Sequence, residues 1–85
     1  MSDMTKKFEA AAAAVKKLKD DPGNAAKLEL YALYKQGSEG DVEGKRPGFT
    51  DMVGRAKFDA WAKVKGTSKD EAMRKYVELV KSLGG

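Results

Sequence analysis

With 85 residues the chain is long enough for one small core and too short for two, and a domain of this size buries only roughly 60 to 65% of its unfolded surface. It contains neither cysteine nor histidine, which excludes a disulfide staple, a zinc site built on the usual soft ligands, a thiolate nucleophile and any side chain that ordinarily titrates near neutrality. Lys and Arg number 17 against 13 Asp and Glu, and the net charge of +4 with a pI near 9.3 favours anionic partners: nucleic acid, an acidic membrane surface or a phosphorylated small molecule.

The opening stretch MSDMTKKFEA lacks the apolar segment of a secretory signal, and the longest apolar run, Ala10 to Val15, is too short to cross a bilayer. With the absence of cysteine, this predicts a soluble cytoplasmic protein. Pro and Gly then punctuate the chain into four predicted helices. In the first, TKKFEAAAAAVKKLK, Phe8, Ala11 or Ala12, Val15 and Leu18 recur at helical spacing, and Asp20 and Asp21 before Pro22 end it. The second is expected to be capped by Asp21, with Pro22 at its first position, and to run to about Glu39. GDVEGKRPGF carries no periodicity and reads as an ordered surface crossover, long enough to set the third helix away from the second. Thr50 or Asp51 caps the third helix, MVGRAKFDAWAKVK, which Gly66 stops. Ser68 and Glu71 form a capping box for the fourth, KDEAMRKYVELVKSL, whose broad apolar face is Ala72, Met73, Tyr76, Val77, Val80 and Leu83.

These elements predict an all-α four-helix bundle occupying residues 1–85 as a single domain. The expected core is Phe8, Val15, Leu30, Leu33, Val53, Trp61, Val64, Met73, Val77 and Val80, with Trp61 the largest contributor.

The second helix has more apolar surface than one core contact needs. On a wheel of about 100° per residue, its apolar arc runs from Leu33 through Leu30 and Tyr34 to Tyr31 and Leu28, roughly 220° in all. Leu30 and Leu33 lie at one end; Tyr31 and Tyr34 lie toward the other, interleaved with Lys27 and Lys35. A phenol offers a ring face and a hydroxyl, and a nearby lysine adds a charge suited to phosphate, so the pair of tyrosines fits either a phosphorylated aromatic ligand or an ordinary half-buried core position. Lys57 beside Ala56 and Phe58, and Tyr76 near Lys75, repeat the pattern on two further helices. Taken alone, Lys57 reads first as a solvated charge, Tyr76 as core and Lys16 as surface.

Several separated segments, FEAAAAAVKKLK, LYALYKQGSEGD, KRPGF, GRAKFDAWAKVKGTSKDEAM and KYVELV, stand in an order and spacing that resemble the acyl-CoA-binding protein family over nearly the whole chain. The resemblance implies a skewed up-down-down-up bundle that carries a long-chain acyl-CoA in a surface bowl and catalyses nothing. It implies no cofactor and no metal, with the acyl-CoA ester as ligand. Tyr31, Lys35 and Lys57 match positions holding the adenine and ribose 3′-phosphate, and Tyr34 matches a further wall of that pocket. Tyr76 matches the tyrosine near both phosphate and acyl chain, Phe8, Ala12 and Lys16 the first-helix side of the site, Ala56 the small residue beside the adenine, and Leu28 the acyl groove. The chain departs from the family's pattern at Gly37 and Ser38, where Ala-Thr is common, at Phe58, where tryptophan is common, and in its short tail SLGG.

The resemblance also implies an intracellular carrier and pool former, a monomer with transient contacts to membranes or to acyl-CoA-using enzymes, and no nucleic-acid partner. The residues admit three other function classes. Tyr31 and Lys35 form Y-x-x-x-K, a spacing like that of short-chain dehydrogenases, but no glycine-rich turn after a strand accompanies it. A nucleic-acid module fits the charge, yet acidic residues are interspersed along every helix and no dense basic run exists. A passive protein-interaction bundle would leave Lys35 and Lys57 dispensable for ligand binding.

Overall fold

The structure is a computed structural model that describes residues 3–84; Met1, Ser2 and Gly85, the ends of the expected domain and the last residue of SLGG, lie outside them. Among the described residues there are four helices and no strand: α1 (Asp3–Val15), α2 (Asn24–Glu39), α3 (Met52–Lys63) and α4 (Lys69–Ser82). None of these helices, among the described residues, is long and apolar enough to cross a membrane.

The ends of the helices follow from local hydrogen bonding, and two depart from expectation, one by more than a residue or two of fraying and one in its cap. α1 stops at Val15 rather than Lys19. Lys16, Lys17 and Leu18 instead donate to carbonyls three residues back at 3.3, 2.9 and 3.5 Å, the tighter winding common at helix ends. Asp21 does not cap α2: its Oδ1 accepts from the Gly23 N–H at 2.8 Å and its Oδ2 from Lys27 Nζ at 2.9 Å, an Asx turn that spends the carboxylate before the helix begins. Pro22 is therefore outside α2, and Gly23 at φ 91° is the flanking residue, a conformation that favours glycine. The other caps agree with expectation. Asp51 accepts from Gly54 N–H at 3.0 Å, and Ser68 Oγ accepts from Glu71 N–H at 3.1 Å. The box at α4 is half made, because the Glu71 carboxylate is held by Arg74 instead.

The core is a cluster of Phe8, Ala11, Leu30, Leu33, Tyr76 and Val80, against which Val15, Val64, Met73 and Val77 pack while half-buried. Val53, expected inside, is 67% exposed: it lies in the first turn of α3, at the rim of an open hollow between α3 and α2 rather than in the core. Trp61 is only half-buried; its Nε1 donates to Gly40 O at 2.8 Å, so the ring covers the end of α2 rather than filling the centre.

The largest buried polar side chain is Gln36, fully enclosed, whose Nε2 donates to Asp41 Oδ1 at 2.9 Å and Thr67 O at 2.7 Å. Asp41 Oδ1 also accepts from Gly66 N–H at 2.8 Å. One amide thus ties the end of α2, the crossover and the α3–α4 turn together, and Arg46 adds a two-pronged bond to Asp59 at 2.7 and 2.6 Å. These anchors order residues 40–51, as expected for that loop. A crossover of this length can return along a 16-residue helix of about 24 Å, which lets α3 run parallel to α2 in the skewed bundle.

The backbones pack in pairs, α2 on α4, α2 on α3 and α1 on α4. The order across the molecule is therefore α3, α2, α4, α1, an open array with two end helices, and its thinnest extent is 15 Å against 37 and 29 Å in the other directions.

Candidate ligand-binding site

On α2, Leu30 and Leu33 are buried in the core, whereas Tyr31 is half-buried and Tyr34 is 42% exposed. The helix serves two surfaces, as its wide apolar arc predicts. Phe8 of α1 stacks on Tyr34 with centroids 5.2 Å apart and meets Tyr76 of α4 edge-on at 5.1 Å, while Tyr34 and Tyr76 lie 5.9 Å apart. These are the offset and edge arrangements that ring quadrupoles favour, and they join three helices. Burial pushes the Tyr76 phenol above its ordinary 10.0, and Tyr34 adds to the shift, so Tyr76 remains a neutral hydrogen-bond donor throughout the physiological range.

Gly37 is part of this packing. A Cβ there would stand 3.1 Å from Met73 Cγ and 3.2 Å from Phe8 Cζ, so the missing methyl lets Phe8 settle against α2.

Two cations flank the Tyr31 ring. Lys57 Nζ of α3 is 5.3 Å from its centroid and Lys35 Nζ is 6.0 Å away. Their surroundings differ. Lys35 bonds Glu39 at 2.5 Å and lies 5.5 Å from the Trp61 ring; the bond to Glu39 holds its pKa above the usual lysine value, with burial opposing. Among the described residues, Lys57 and Lys16 pair with no carboxylate.

Three hollows with shared walls run across this face. The middle one, about 660 Å³, brings together six of the residues singled out from the sequence: Ala12 and Lys16 from α1, Tyr31 and Tyr34 from α2, Lys57 from α3 and Tyr76 from α4. A second, about 580 Å³, shares Ala12, Lys16 and Tyr34 with it and adds Phe8, Gly37 and Met73. A third, about 390 Å³, shares Lys27, Tyr31 and Lys57 and adds Leu28, Ala56, Met52 and Val53. Beyond Leu28 and Ala56 it continues into a trench between α2 and α3, floored by Ala25, Ala32, Ala60 and Val64 and bordered by the charged Glu29, Asp59 and Lys63. Lys35 borders none of these hollows; Glu39 holds its ammonium.

Sequence reasoning missed Leu18, Pro22 and Lys27 on the middle wall. The signal was present: Leu18 and Pro22 are the apolar residues in KKLKDDPGN, a segment otherwise polar or charged, and an isolated apolar residue in such a stretch needs a surface to cover. Among the described residues no group of acidic side chains has the arrangement of a metal site.

Rings and unpaired cations at the centre, with a small-residue trench to one side, suit an elongated amphipathic anion held without covalent chemistry. Fold and site together define a helical binding module. The chain belongs to the acyl-CoA-binding protein family: residues 5–80 match the family described as Acyl CoA binding protein. It is 50% identical over 80 residues to the Acyl-CoA-binding protein homolog 1 of Caenorhabditis elegans, a match covering 94% of this chain and 93% of that one. The crystal structure of Oryza sativa Acyl-CoA-Binding Protein 2 superposes with a TM-score of 0.90 at 45% identity, covering 94% and 89% of the two chains. Human Enoyl-CoA delta isomerase 2 is 49% identical over 78 residues, but these are 92% of this chain and 20% of that longer protein, so the likeness carries none of its named activity here. The family binds and does not catalyse, in line with the binding role expected from the sequence.

Proposed function

We infer that residues 1–85 act as one acyl-CoA-binding domain that takes up long-chain fatty acyl-CoA esters and serves as a cytoplasmic, monomeric carrier and pool former. The single observation that carries this reading is the continuity of the hollows, in which rings and free lysines give way at Tyr31 and Lys57 to the Leu28–Ala56 trench. Tyr31 and Tyr34 supply ring walls for the adenine, with Ala56 as the small residue beside it. Lys57 and Lys16 supply charge for phosphate, and Lys35 joins them if its bond to Glu39 is exchanged. Tyr76 donates its hydroxyl where head and chain meet, and Phe8 and Ala12 form the α1 wall. Leu28 borders the alkyl chain, each buried methylene of which contributes about 0.8 kcal/mol, so two extra carbons tighten binding roughly tenfold until the trench ends. No cofactor takes part; the ester is the ligand, unloaded in transient contact with membranes or acyl-CoA-using enzymes.

Calorimetric titration with palmitoyl-CoA, free CoA and free palmitate, below the ester's micelle threshold, tests this. Saturable one-to-one binding of the ester with both fragments far weaker is expected. No saturable binding of the ester sinks the carrier reading.

A further inference from the structure

The edge where the crossover enters α3 is unlike the rest of the surface. Phe49, Met52 and Val53 are 80%, 65% and 67% exposed within five residues of chain, whereas scattered single apolar residues are the ordinary pattern. Charge accompanies them. Residues 45–57 hold the cations Lys45, Arg46, Arg55 and Lys57 against a single carboxylate, Asp51, which is spent on capping α3. Arg46 is neutralised by Asp59, but the Arg55 guanidinium lies 4.3 Å from the Phe49 ring centroid, so a cation and an exposed aromatic ring are presented at one point. Met52 and Val53 also wall the hollow that contains Leu28 and Ala56, and the patch is therefore continuous with the mouth of the trench. Phe49 stands outside that hollow.

We propose that this edge docks on an anionic lipid bilayer, with Phe49, Met52 and Val53 entering the boundary between headgroups and acyl chains and Arg55 and Lys45 lying among the lipid phosphates. A protein groove would use the apolar side chains without requiring the cations, and a polyanion in solution would use the cations alone. An anionic bilayer uses both. Docked in this way, the molecule sets the mouth of its trench against the hydrocarbon layer, so an alkyl chain can pass between bilayer and protein with little exposure to water. That last role rests on the acyl-CoA reading above; the docking itself does not.

Flotation of the full chain with phosphatidylcholine vesicles, with and without about one third phosphatidylserine, tests the proposal. The wild type is expected to float with the anionic vesicles only. Phe49→Ser should lower the partition coefficient about tenfold and Arg55→Glu at least about fivefold. Both variants should melt like the wild type and bind palmitoyl-CoA with unchanged affinity, because neither side chain is core or ligand wall. Wild-type protein that ignores anionic vesicles, or a Phe49→Ser variant that floats as well as the wild type, overturns the docking surface. Phe49-dependent flotation without saturable palmitoyl-CoA binding sinks the carrier reading and leaves the docking surface standing; ester binding without flotation does the reverse.

Discussion

Replacing Lys57 by Met keeps most of the aliphatic stem and removes one charge at the centre of the site. Lys57 pairs with no carboxylate among the described residues and stands 5.3 Å from the Tyr31 ring, so its charge is available to an incoming phosphate without breaking a prior bond. A charge-assisted bond of this kind is worth about 1.5 to 3 kcal/mol, and the lower end applies at an exposed position, which corresponds to roughly tenfold weaker binding. The folded state loses only the ring contact, about 0.5 kcal/mol, or a fall in Tm of roughly 2–4 °C for a domain of this size. Calorimetry with palmitoyl-CoA and with its 3′-dephospho analogue isolates the contact. If Lys57 faces the 3′-phosphate, the mutation costs about tenfold with the first ligand and almost nothing with the second, because the partner is already missing. A change below twofold for palmitoyl-CoA, or equal losses for the two ligands, refutes the assignment.

Other perturbations follow from the same geometry. Glu39→Gln releases Lys35 from its 2.5 Å partner, and palmitoyl-CoA binding should tighten a few-fold if Lys35 serves the phosphate; an unchanged Kd would remove Lys35 from the site. Gly37→Ala gains up to about 1 kcal/mol of helix propensity against a tight 3.1 Å approach to the flexible Met73, so a net rise of about 0.5 kcal/mol in chemical denaturation is expected, and a loss above 1 kcal/mol would mean Phe8 cannot yield. Trp61→Ala should cost about 2 to 3 kcal/mol, less than for a fully buried ring, and Trp61→Phe about 1 kcal/mol for the lost bond to Gly40; a Trp61→Phe variant as stable as the wild type would deny the hydrogen bond a role. Asp41 is held below its ordinary 3.8 by the Gly66 N–H and then by Gln36, so the stability it contributes is present above that value and is lost as the pH falls below it. Asp41→Asn should therefore be less stable at neutral pH and show a shallower acid limb in pH-dependent melting; an acid limb identical to that of the wild type would dismiss the network.

The number of helices and most of their ends were legible in the sequence because each end is signalled within a few residues: Ser68 and Asp51 cap as their types predict. The failures come from competing hydrogen bonds, local at Asp21 and long-range at Trp61. Asp21 looks like a cap until Gly23 and Lys27 claim both of its oxygens, and Trp61 looks like core until a carbonyl of the crossover draws its indole outward. Gln36 carried no signal at all, since its partners at Asp41 and Thr67 are adjacent only after folding. For the site, the doubled arc of α2 pointed to two surfaces, and the family resemblance supplied the roles. Spacing alone places Lys35 and Lys57 as equals, whereas Glu39, one turn beyond Lys35, makes one cation engaged and the other free.

Because α1 packs chiefly on α4, with Phe8 reaching across to Tyr34 of α2, and α3 packs chiefly on α2, the two end helices are held less completely than the inner pair, and the middle hollow has residues of both on its wall. A ligand filling it would be the one body in contact with all four helices and would turn an open row into a closed ring. Stability gained in this way grows with occupancy, by about 2.7 kcal/mol at a hundred times Kd. The empty protein should shed its end helices first and meet proteases in that state, while the loaded protein is spared. The amount of protein that persists would then follow the supply of its cargo, a self-adjusting inventory that needs no separate sensor.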